Sequence, residues 1–401
     1  MYALSNCTIY TGLEVLHDRV LLIADNQIKA ICSTAERPAD CESINLQGAA
    51  IAPGFIDLQL NGCGGVMFND DISATTLEVM HHTNLRSGTT SFLPTLITAS
   101  DADMYQAMSV VQAYRDDQPH RVLGLHLECP YLIPKRNGIL NGDYVRSPDA
   151  AMVQAMVQAG PAVVRLVTLA PEVTPAATIA QLQQAGIVVS GGHTNATYAE
   201  AIAGFAGGLS MVPHLFNAMS PWQSRQPGMV GAALNQPEVY AGIIADGHHV
   251  HFASIALAHQ LKGDRLVLVT DATPPAGTQL ESFIIGGQRV YYQSGKCVSA
   301  EGTLGGSALT MIEAIANCVH HVGIPLAEAL RMASLYPARA LGLADHYGQL
   351  TPGSVANIVI FDDALTVLAV VDQGKLVSFA PPGKIDFAPT LNPDSTVKTL
   401  T

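Results

Sequence analysis

The hydrophobic pattern of the chain changes character twice. Over the first ~50 residues, apolar and polar positions alternate with the period of two that is typical of β-strands. The segment YALSNCTIY predicts one strand, and RVLLIADNQIKAIC predicts a hairpin that turns at Asp25 and Asn26. The same alternation resumes from about Gly348. We therefore expect both chain ends to pack together as one small β-sandwich domain, formed by residues 1–50 and 348–380.

Between these segments, short apolar runs alternate with helical patterns. Most of the runs are separated by helical stretches, as at residues 102–114, 148–158, 176–185, 253–261 and 309–321. The runs themselves predict eight buried parallel strands, at residues 54–60, 89–96, 122–127, 163–169, 187–190, 209–214, 242–245 and 266–270. Eight such units predict an α/β fold, a (β/α)8 TIM barrel over residues 51–347. The Pro-rich, polar segment 381–401 predicts a flexible tail.

Composition narrows the class of protein. The chain has 401 residues, of which 48% are hydrophobic and 13% charged, which suits a globular protein with a large core. The net charge of −13 and the lack of a basic stripe argue against a nucleic-acid partner. No apolar run reaches the length of a membrane span, and the N-terminus lacks signal-peptide features. Seven scattered cysteines without a CxxC pair favour reduced thiols and a cytoplasmic protein.

Four polar residues each end one of the apolar runs: Glu128, His193, His214 and Asp271. Barrel enzymes carry their catalytic side chains at the carboxyl ends of the parallel strands. One carboxylate and two imidazoles would provide the three protein ligands of a catalytic zinc-type site, with a fourth position open to water. Any single histidine is more often a hydrogen-bonded structural residue, but three candidate ligands together at strand ends favour a metal site. Asp271 would then act as the general base on the metal-bound water.

Several loops have the composition of ligand-binding segments. The backbone N–H groups of Asn217 and Ala218 can bind an anion, and the guanidinium of Arg225 suits phosphate, although surface salt bridges are the commoner role of such an arginine. The segment ADGHHVH predicts that at least one histidine faces the pocket. The Gly-rich turn at residues 302–310 opens a helix, so its amides can bind an oxyanion, although simple loop geometry explains such a turn equally well.

Long segments of the chain also resemble a known family. PGFIDLQLNGCGG, GLHLE, SGGHTNAT, HLFNAM, GIIADGHHV, LVTDATPPAG and GTLGGSALTMIEA are similar to the N-acetylglucosamine-6-phosphate deacetylase family of the amidohydrolase superfamily. The resemblance covers about residues 1–375. It implies hydrolysis of the acetamide of N-acetylglucosamine 6-phosphate, which gives glucosamine 6-phosphate and acetate. It also implies a homodimer or higher homo-oligomer, in which Arg225 serves a neighbouring subunit's pocket.

The resemblance assigns a role to individual residues. Glu128, His193 and His214 match the metal ligands, and Asp271 matches the catalytic acid and base. Substrate contacts are implied for Asn217, Ala218, Arg225, His249, Leu304, Gly305 and Gly306. His249 is preferred to His248 because it directly precedes Val250.

Three features of the sequence depart from the pattern of the superfamily or of the family. Many members carry His-x-His at the end of the first strand, where this chain has Gln59 and Asn61, and amides are weak zinc ligands. We therefore expect one divalent ion per subunit, Zn2+ first, with Fe2+, Co2+ or Mn2+ compatible with the same ligands. Cys129 replaces the usual Gly after the metal-ligand Glu, most simply as a small apolar filler.

The third departure bears on the substrate. Leu140 stands where the family has a substrate-contacting histidine, and the neighbouring Asn141 is expected to replace it in part. A missing hydrogen-bond partner costs about 1–3 kcal/mol, enough to change the preferred sugar. N-acetylgalactosamine 6-phosphate, or another N-acyl amino-sugar phosphate, therefore stays open as the substrate. A non-catalytic sugar-phosphate-binding descendant is the alternative from another class, although such a protein has no need of Asp271.

Overall fold

Eight parallel strands form the centre of the protein, whose computed structural model describes residues 1–128, 131–132, 142–381 and 385. The strands are β1 (Phe55–Leu60), β2 (Thr89–Ile97), β3 (Leu125–Glu128), β4 (Val164–Leu169), β5 (Val188–Gly191), β6 (Met211–Val212), β7 (Tyr240–Ile243) and β8 (Leu266–Leu268). Each strand pairs with the next in sequence order. A parallel bridge between Leu60 and Ala272 joins β1 to the segment after β8 and closes the barrel. The predicted (β/α)8 barrel is confirmed.

Ten α-helices accompany the strands in the described part of the chain. They are α1 (Ala74–Leu85), α2 (Asp101–Asp117), α3 (Ala150–Ala159), α4 (Ala176–Gln184), α5 (Tyr198–Ala206), α6 (Gly228–Asn235), α7 (Phe252–Lys262), α8 (Met311–Asn317), α9 (Leu326–Ala333) and α10 (Leu335–Ala340). Side chains of Ser73, Ser100 and Thr197 accept backbone N–H bonds where α1, α2 and α5 begin. These caps satisfy donors that have no partner within the helix. No helix in the described ranges is long and apolar enough to cross a membrane.

Two further sheets contain strands from the first 53 residues and from the C-terminal part of the chain. The first sheet consists, in spatial order, of Gln27–Cys32, Val20–Ala24, Tyr2–Ser5 and Glu42–Asn45. The second sheet consists, in spatial order, of Lys375–Ser378, Val367–Asp372, Ile358–Phe361, Ala50–Pro53, Thr8–Tyr10 and Val15–Leu16. Ala50–Pro53 runs antiparallel to Ile358–Phe361, so both ends of the chain share one sheet. Leu4 and Ile23 of the first sheet lie in one hydrophobic cluster with Ile51 and Ile360 of the second.

The predicted hairpin is confirmed, because Val20–Ala24 and Gln27–Cys32 pair in antiparallel fashion about Asp25 and Asn26. The single strand predicted from YALSNCTIY is wrong. Asn6 has a φ of 53°, a left-handed conformation that bends the chain and sends its two halves into different sheets.

A three-stranded antiparallel sheet that the sequence pattern did not indicate follows β8. Its strands are Ser282–Ile285, Gln288–Gln293 and Lys296–Ser299. Phe283 and Val290 of this sheet pack with Met67 and Ile97, which belong to segments at the carboxyl ends of β1 and β2. The sheet therefore lies over the end of the barrel at which the catalytic side chains were predicted.

Candidate active site

Three side chains predicted as metal ligands converge on one point. Glu128 is the last residue of β3, and His193 and His214 each follow the ends of β5 and β6 by two residues. His193 Nε2 and His214 Nε2 lie 3.1 Å apart, and Glu128 Oε1 lies 3.3 Å from the first and 3.1 Å from the second. Their side chains are only 10%, 5% and 3% exposed for His193, His214 and Glu128 respectively. The prediction that these residues meet is confirmed.

The spacing of the three atoms fits a small divalent cation. Metal–ligand bonds of about 2.0–2.2 Å place the ligands of a tetrahedral ion about 3.3–3.6 Å apart. The observed separations of 3.1–3.3 Å are close to those values. Two ring nitrogens and a carboxylate oxygen are a donor set for zinc and similar metals, and three protein ligands leave a position for water.

The charges of these groups favour a bound cation. Burial opposes ionisation of Glu128, but hydrogen bonds to His193 and His214 hold its pKa well below the usual range. Burial likewise opposes protonation of His214, yet its bond to the Glu128 carboxylate raises the pKa of the ring. The Glu128 carboxylate is therefore ionised and attracts positive charge, which a metal ion can supply.

Asp271 lies beside this cluster and is held by two amides. Asn61 Nδ2 donates to Asp271 Oδ1 at 2.7 Å, and Gln59 Nε2 donates to the same oxygen at 3.2 Å and to Glu128 Oε1 at 2.8 Å. Gln59 thus bridges the two carboxylates. Burial, and then the negative charge of Glu128, raise the pKa of Asp271. A carboxyl group with a raised pKa is suited to exchange protons near neutral pH.

Left-handed backbone turns aim two of these side chains into the barrel end. His193 has a φ of 47° and Asp271 a φ of 51°, conformations that non-glycine residues seldom adopt and that cluster at functional sites. The turn 302–306 packs against the second of them, because Ser307 N donates to the Asp271 carbonyl at 2.8 Å. A Cβ at Gly306 would lie 2.9 Å from that carbonyl oxygen and 2.4 Å from Thr273 Cγ2, so this close approach requires glycine.

The loops after β5 and β6 are tied to each other. Thr194 N donates to the Ala218 carbonyl at 3.0 Å, which links the residue after one ligand to the turn after the other. Asn217 N donates to the His214 carbonyl at 2.9 Å, and Ala218 has a left-handed φ of 48°. The structure therefore brings Asn217 and Ala218 to the same end of the barrel as the ligands.

Glu172 forms hydrogen bonds to the turn that contains His193. This residue was not identified as functional from the sequence. Its Oε2 accepts a bond from Thr194 Oγ1 at 2.5 Å, and its Oε1 accepts one from Asn195 N at 2.5 Å. The carboxylate follows β4, so it joins the ends of two neighbouring strands. The signals in the sequence were its position three residues after a strand and its place in VTLAPE, a segment that also resembles the family.

Comparison with known proteins identifies the family. Residues 1–51 match the NagA composite domain, and residues 50–387, most of the chain, match the amidohydrolase family. The chain belongs to the amidohydrolase family.

Individual relatives of this amidohydrolase are also informative. A Haemophilus influenzae protein named N-acetylglucosamine-6-phosphate deacetylase is 44% identical over 377 residues, which are 93% of this chain and 98% of that protein. An Escherichia coli O157:H7 protein named N-acetylgalactosamine-6-phosphate deacetylase is 35% identical over 371 residues, 91% of this chain and 96% of that protein. The crystal structure of N-acetylglucosamine-6-phosphate deacetylase from Pasteurella multocida aligns with a TM-score of 0.92 at 44% identity, covering 94% of this chain and 99% of that one.

The remaining predicted site residues of this amidohydrolase differ in where they lie relative to the metal ligands. His249 lies after β7, and its ring is held by Asp246, whose Oδ2 is 2.6 Å from His249 Nδ1. Arg225 lies on an exposed turn, and within the described residues no ion pair joins it to the metal ligands. Leu140 and Asn141 lie outside the described residues, as does Cys129.

Proposed function

We propose that this protein hydrolyses the N-acetyl group of N-acetylglucosamine 6-phosphate to give glucosamine 6-phosphate and acetate. The observation that carries the proposal is the convergence of Glu128, His193 and His214 beside Asp271 at the carboxyl end of an amidohydrolase barrel. The names of relatives at 44% identity over nearly the whole chain support the choice of substrate.

The metal would be held by Glu128, His193 and His214. A divalent ion bound there lowers the pKa of a coordinated water and polarises the acetyl carbonyl. We propose one ion per subunit, because Gln59 and Asn61, at the usual positions of two further ligands, direct their N–H donors to carboxylates instead. Zn2+ is the first choice, and Fe2+, Co2+ and Mn2+ remain compatible with the same donor set.

Asp271 would move the proton. Its Oδ1 is occupied by the amides of Gln59 and Asn61, which leaves Oδ2 to accept a proton from the attacking water. The C–N bond of the tetrahedral intermediate then breaks, and Asp271 returns that proton to the nitrogen of the sugar. The products are the free amine and acetic acid, which loses its proton to give acetate, so the atoms of one water and one amide are accounted for. His249 would donate to the developing oxyanion.

The phosphate would be bound by the turns at the same end of the barrel. Asn217 and Ala218 lie beside the metal ligands, and the turn Leu304–Gly306, with Gly305 at its centre, lies against Asp271. Arg225 would provide the cation, from a neighbouring subunit if the protein is a homodimer or higher homo-oligomer. Leu140 and Asn141 remain proposed contacts for the sugar.

A second substrate has a specific observation in its favour. Relatives named N-acetylgalactosamine-6-phosphate deacetylase are 35% identical over most of the chain. The chemistry at the metal would be the same, and only the contacts to the epimeric hydroxyl would differ. The ratio of kcat/KM values on the two epimers decides between them.

We also propose the division of the chain into a sandwich of residues 1–50 and 348–380, a barrel of residues 51–347 and a tail of residues 381–401. Pairing of Ala50–Pro53 with Ile358–Phe361 supports the sandwich. Cytoplasmic location is proposed as well, since all six cysteines in the described ranges are free thiols.

Acetate release on both sugar phosphates, together with metal analysis, tests the proposal. We expect turnover with one metal ion per subunit, and a loss of about 10²–10⁴-fold in kcat for Asp271→Asn with metal still bound. The exposed Asp264 provides a control, since Asp264→Asn removes a carboxylate far from the chemistry. Near-normal activity of Asp271→Asn would refute the assigned role. Tight sugar-phosphate binding without acetate release by the metal-loaded protein would favour the non-catalytic descendant.

A further inference from the structure

We propose that Asp246 is a positioning residue that holds His249 with Nδ1 protonated and Nε2 directed at the substrate. This inference rests on the proposed function, because it assigns a partner to a residue of the same site. No role was predicted for Asp246 from the sequence.

The carboxylate of Asp246 makes three hydrogen bonds, all to its own turn. Oδ1 accepts the backbone N–H groups of His248 and His249, each at 2.8 Å, and Oδ2 lies 2.6 Å from His249 Nδ1. The two side chains are 7% and 6% exposed for Asp246 and His249. Both oxygens are therefore used, and the ring cannot rotate without breaking a short, protected bond.

The direction of this bond follows from the state of the carboxylate. Burial opposes ionisation of Asp246, but its hydrogen bond to His249 prevails and lowers the pKa of the carboxyl group. An ionised carboxylate can only accept, so His249 Nδ1 carries the proton and donates it. The other ring nitrogen, Nε2, makes no hydrogen bond to any described residue and is left for a ligand.

The turn itself separates the two adjacent histidines. His248 is exposed and lies against the turn of the neighbouring hairpin, where a Cβ at Gly295 would lie 2.9 Å from His248 Nε2. The side chain of His249 is buried. Its charge lowers the pKa of Asp271 and so offsets part of the rise that burial of Asp271 causes. Gly247 makes the turn with a φ of 73°, and a Cβ there would lie 2.7 Å from the Phe252 ring.

This arrangement determines at which stage of the reaction the Asp246 carboxylate contributes to catalysis. If Nε2 donates to the acetyl oxygen while Nδ1 donates to Asp246, both ring nitrogens carry protons, and the carboxylate balances the positive charge. The acetyl oxygen becomes strongly negative only in the transition state, so the interaction strengthens there. The effect of removing the carboxylate should accordingly fall on kcat.

The matched variant is Asp246→Asn. Its side-chain oxygen still accepts the two backbone N–H groups, so the turn is kept, but the amide NH2 now faces Nδ1 and cannot accept its proton. We expect kcat to fall roughly 10- to 100-fold, as for other carboxylates that orient a functional histidine, with KM changed by less than about threefold. On a His249→Gln background the same change should cost less than about twofold, because the partner is already gone.

A readout independent of turnover completes the test. Proton NMR of the metal-loaded protein should show a downfield Nδ1–H resonance that is absent from both Asp246→Asn and His249→Gln and retained in Asp264→Asn. Unchanged kcat in Asp246→Asn, equal losses with and without His249, or the lack of this resonance in the wild-type protein would each overturn the inference. Failure of the wild-type protein to release acetate, with the resonance present, would instead refute the proposed function and leave the Asp246–His249 bond established.

Discussion

Gln59 joins the metal ligand to the proton carrier, and this makes a pair of substitutions informative. Gln59 Nε2 donates both to Glu128 Oε1 at 2.8 Å and to Asp271 Oδ1 at 3.2 Å. Asn61 Nδ2 donates only to Asp271 Oδ1, at 2.7 Å. We expect Gln59→Leu to weaken metal binding and slow the reaction, and Asn61→Leu to slow the reaction alone.

The size of each effect follows from the bonds that are lost. A hydrogen bond to a charged group contributes about 1.5–3 kcal/mol, and about 1.4 kcal/mol corresponds to a factor of ten. The Asn61 bond therefore predicts a fall in kcat of roughly 10- to 150-fold. The loss of a partner that orients a metal ligand typically lowers metal affinity about 10- to 100-fold, which is the expectation for Gln59→Leu.

Competition with a chelator measures the metal affinity of each variant, and acetate release at saturating metal measures kcat. Both substituted residues are buried. Gln59 lies in β1 and Asn61 directly follows its last residue, so the two variants serve as controls for each other in thermal stability. Equal metal affinities in the two variants, or a weaker one in Asn61→Leu, would refute the idea that the Gln59 amide supports Glu128.

Two further outcomes are expected. Glu172→Ala should lower metal affinity about tenfold by releasing Thr194 and Asn195 beside a ligand, and unchanged affinity in chelator competition would contradict this. Burial lowers the pKa of His81, although Asp372 raises it in part, so the folded state binds fewer protons than the unfolded chain, whose histidine titrates near about 6.5. The free energy of unfolding should therefore fall as the pH drops below about 6.5. Urea unfolding should show a shallower fall with pH for His81→Gln than for the wild type. An identical dependence on pH in the two proteins would contradict this prediction.

Much of the barrel could be predicted because its strands are buried on both sides and therefore form continuous apolar runs. The ends of the strands were harder to predict. Residues 209–214 were predicted as strand, but only Met211–Val212 pairs, and His214 follows in a turn. The apolar run continues past Val212 because the turn that follows is also buried, so hydrophobicity alone does not mark where the strand ends.

The ligands could be predicted from their positions after apolar runs, but the residues that orient them could not. Gln59 and Asn61 were interpreted only as poor metal ligands, whereas they bond to a carboxylate 212 and 210 residues further along the chain. That contact exists only once the barrel closes. Glu172 and Asp246 act through loop turns, which leave no periodic pattern in the sequence.

The pairing of Ala50–Pro53 with Ile358–Phe361 has a consequence for synthesis on the ribosome. The earlier strand emerges long before its partner, and at about 5–20 residues per second the delay is on the order of tens of seconds. During that interval one edge of Ala50–Pro53 is unpaired, and an exposed strand edge invites pairing with other chains. The nascent N-terminal segment is therefore open to pairing with other chains until residues 358–361 have been made.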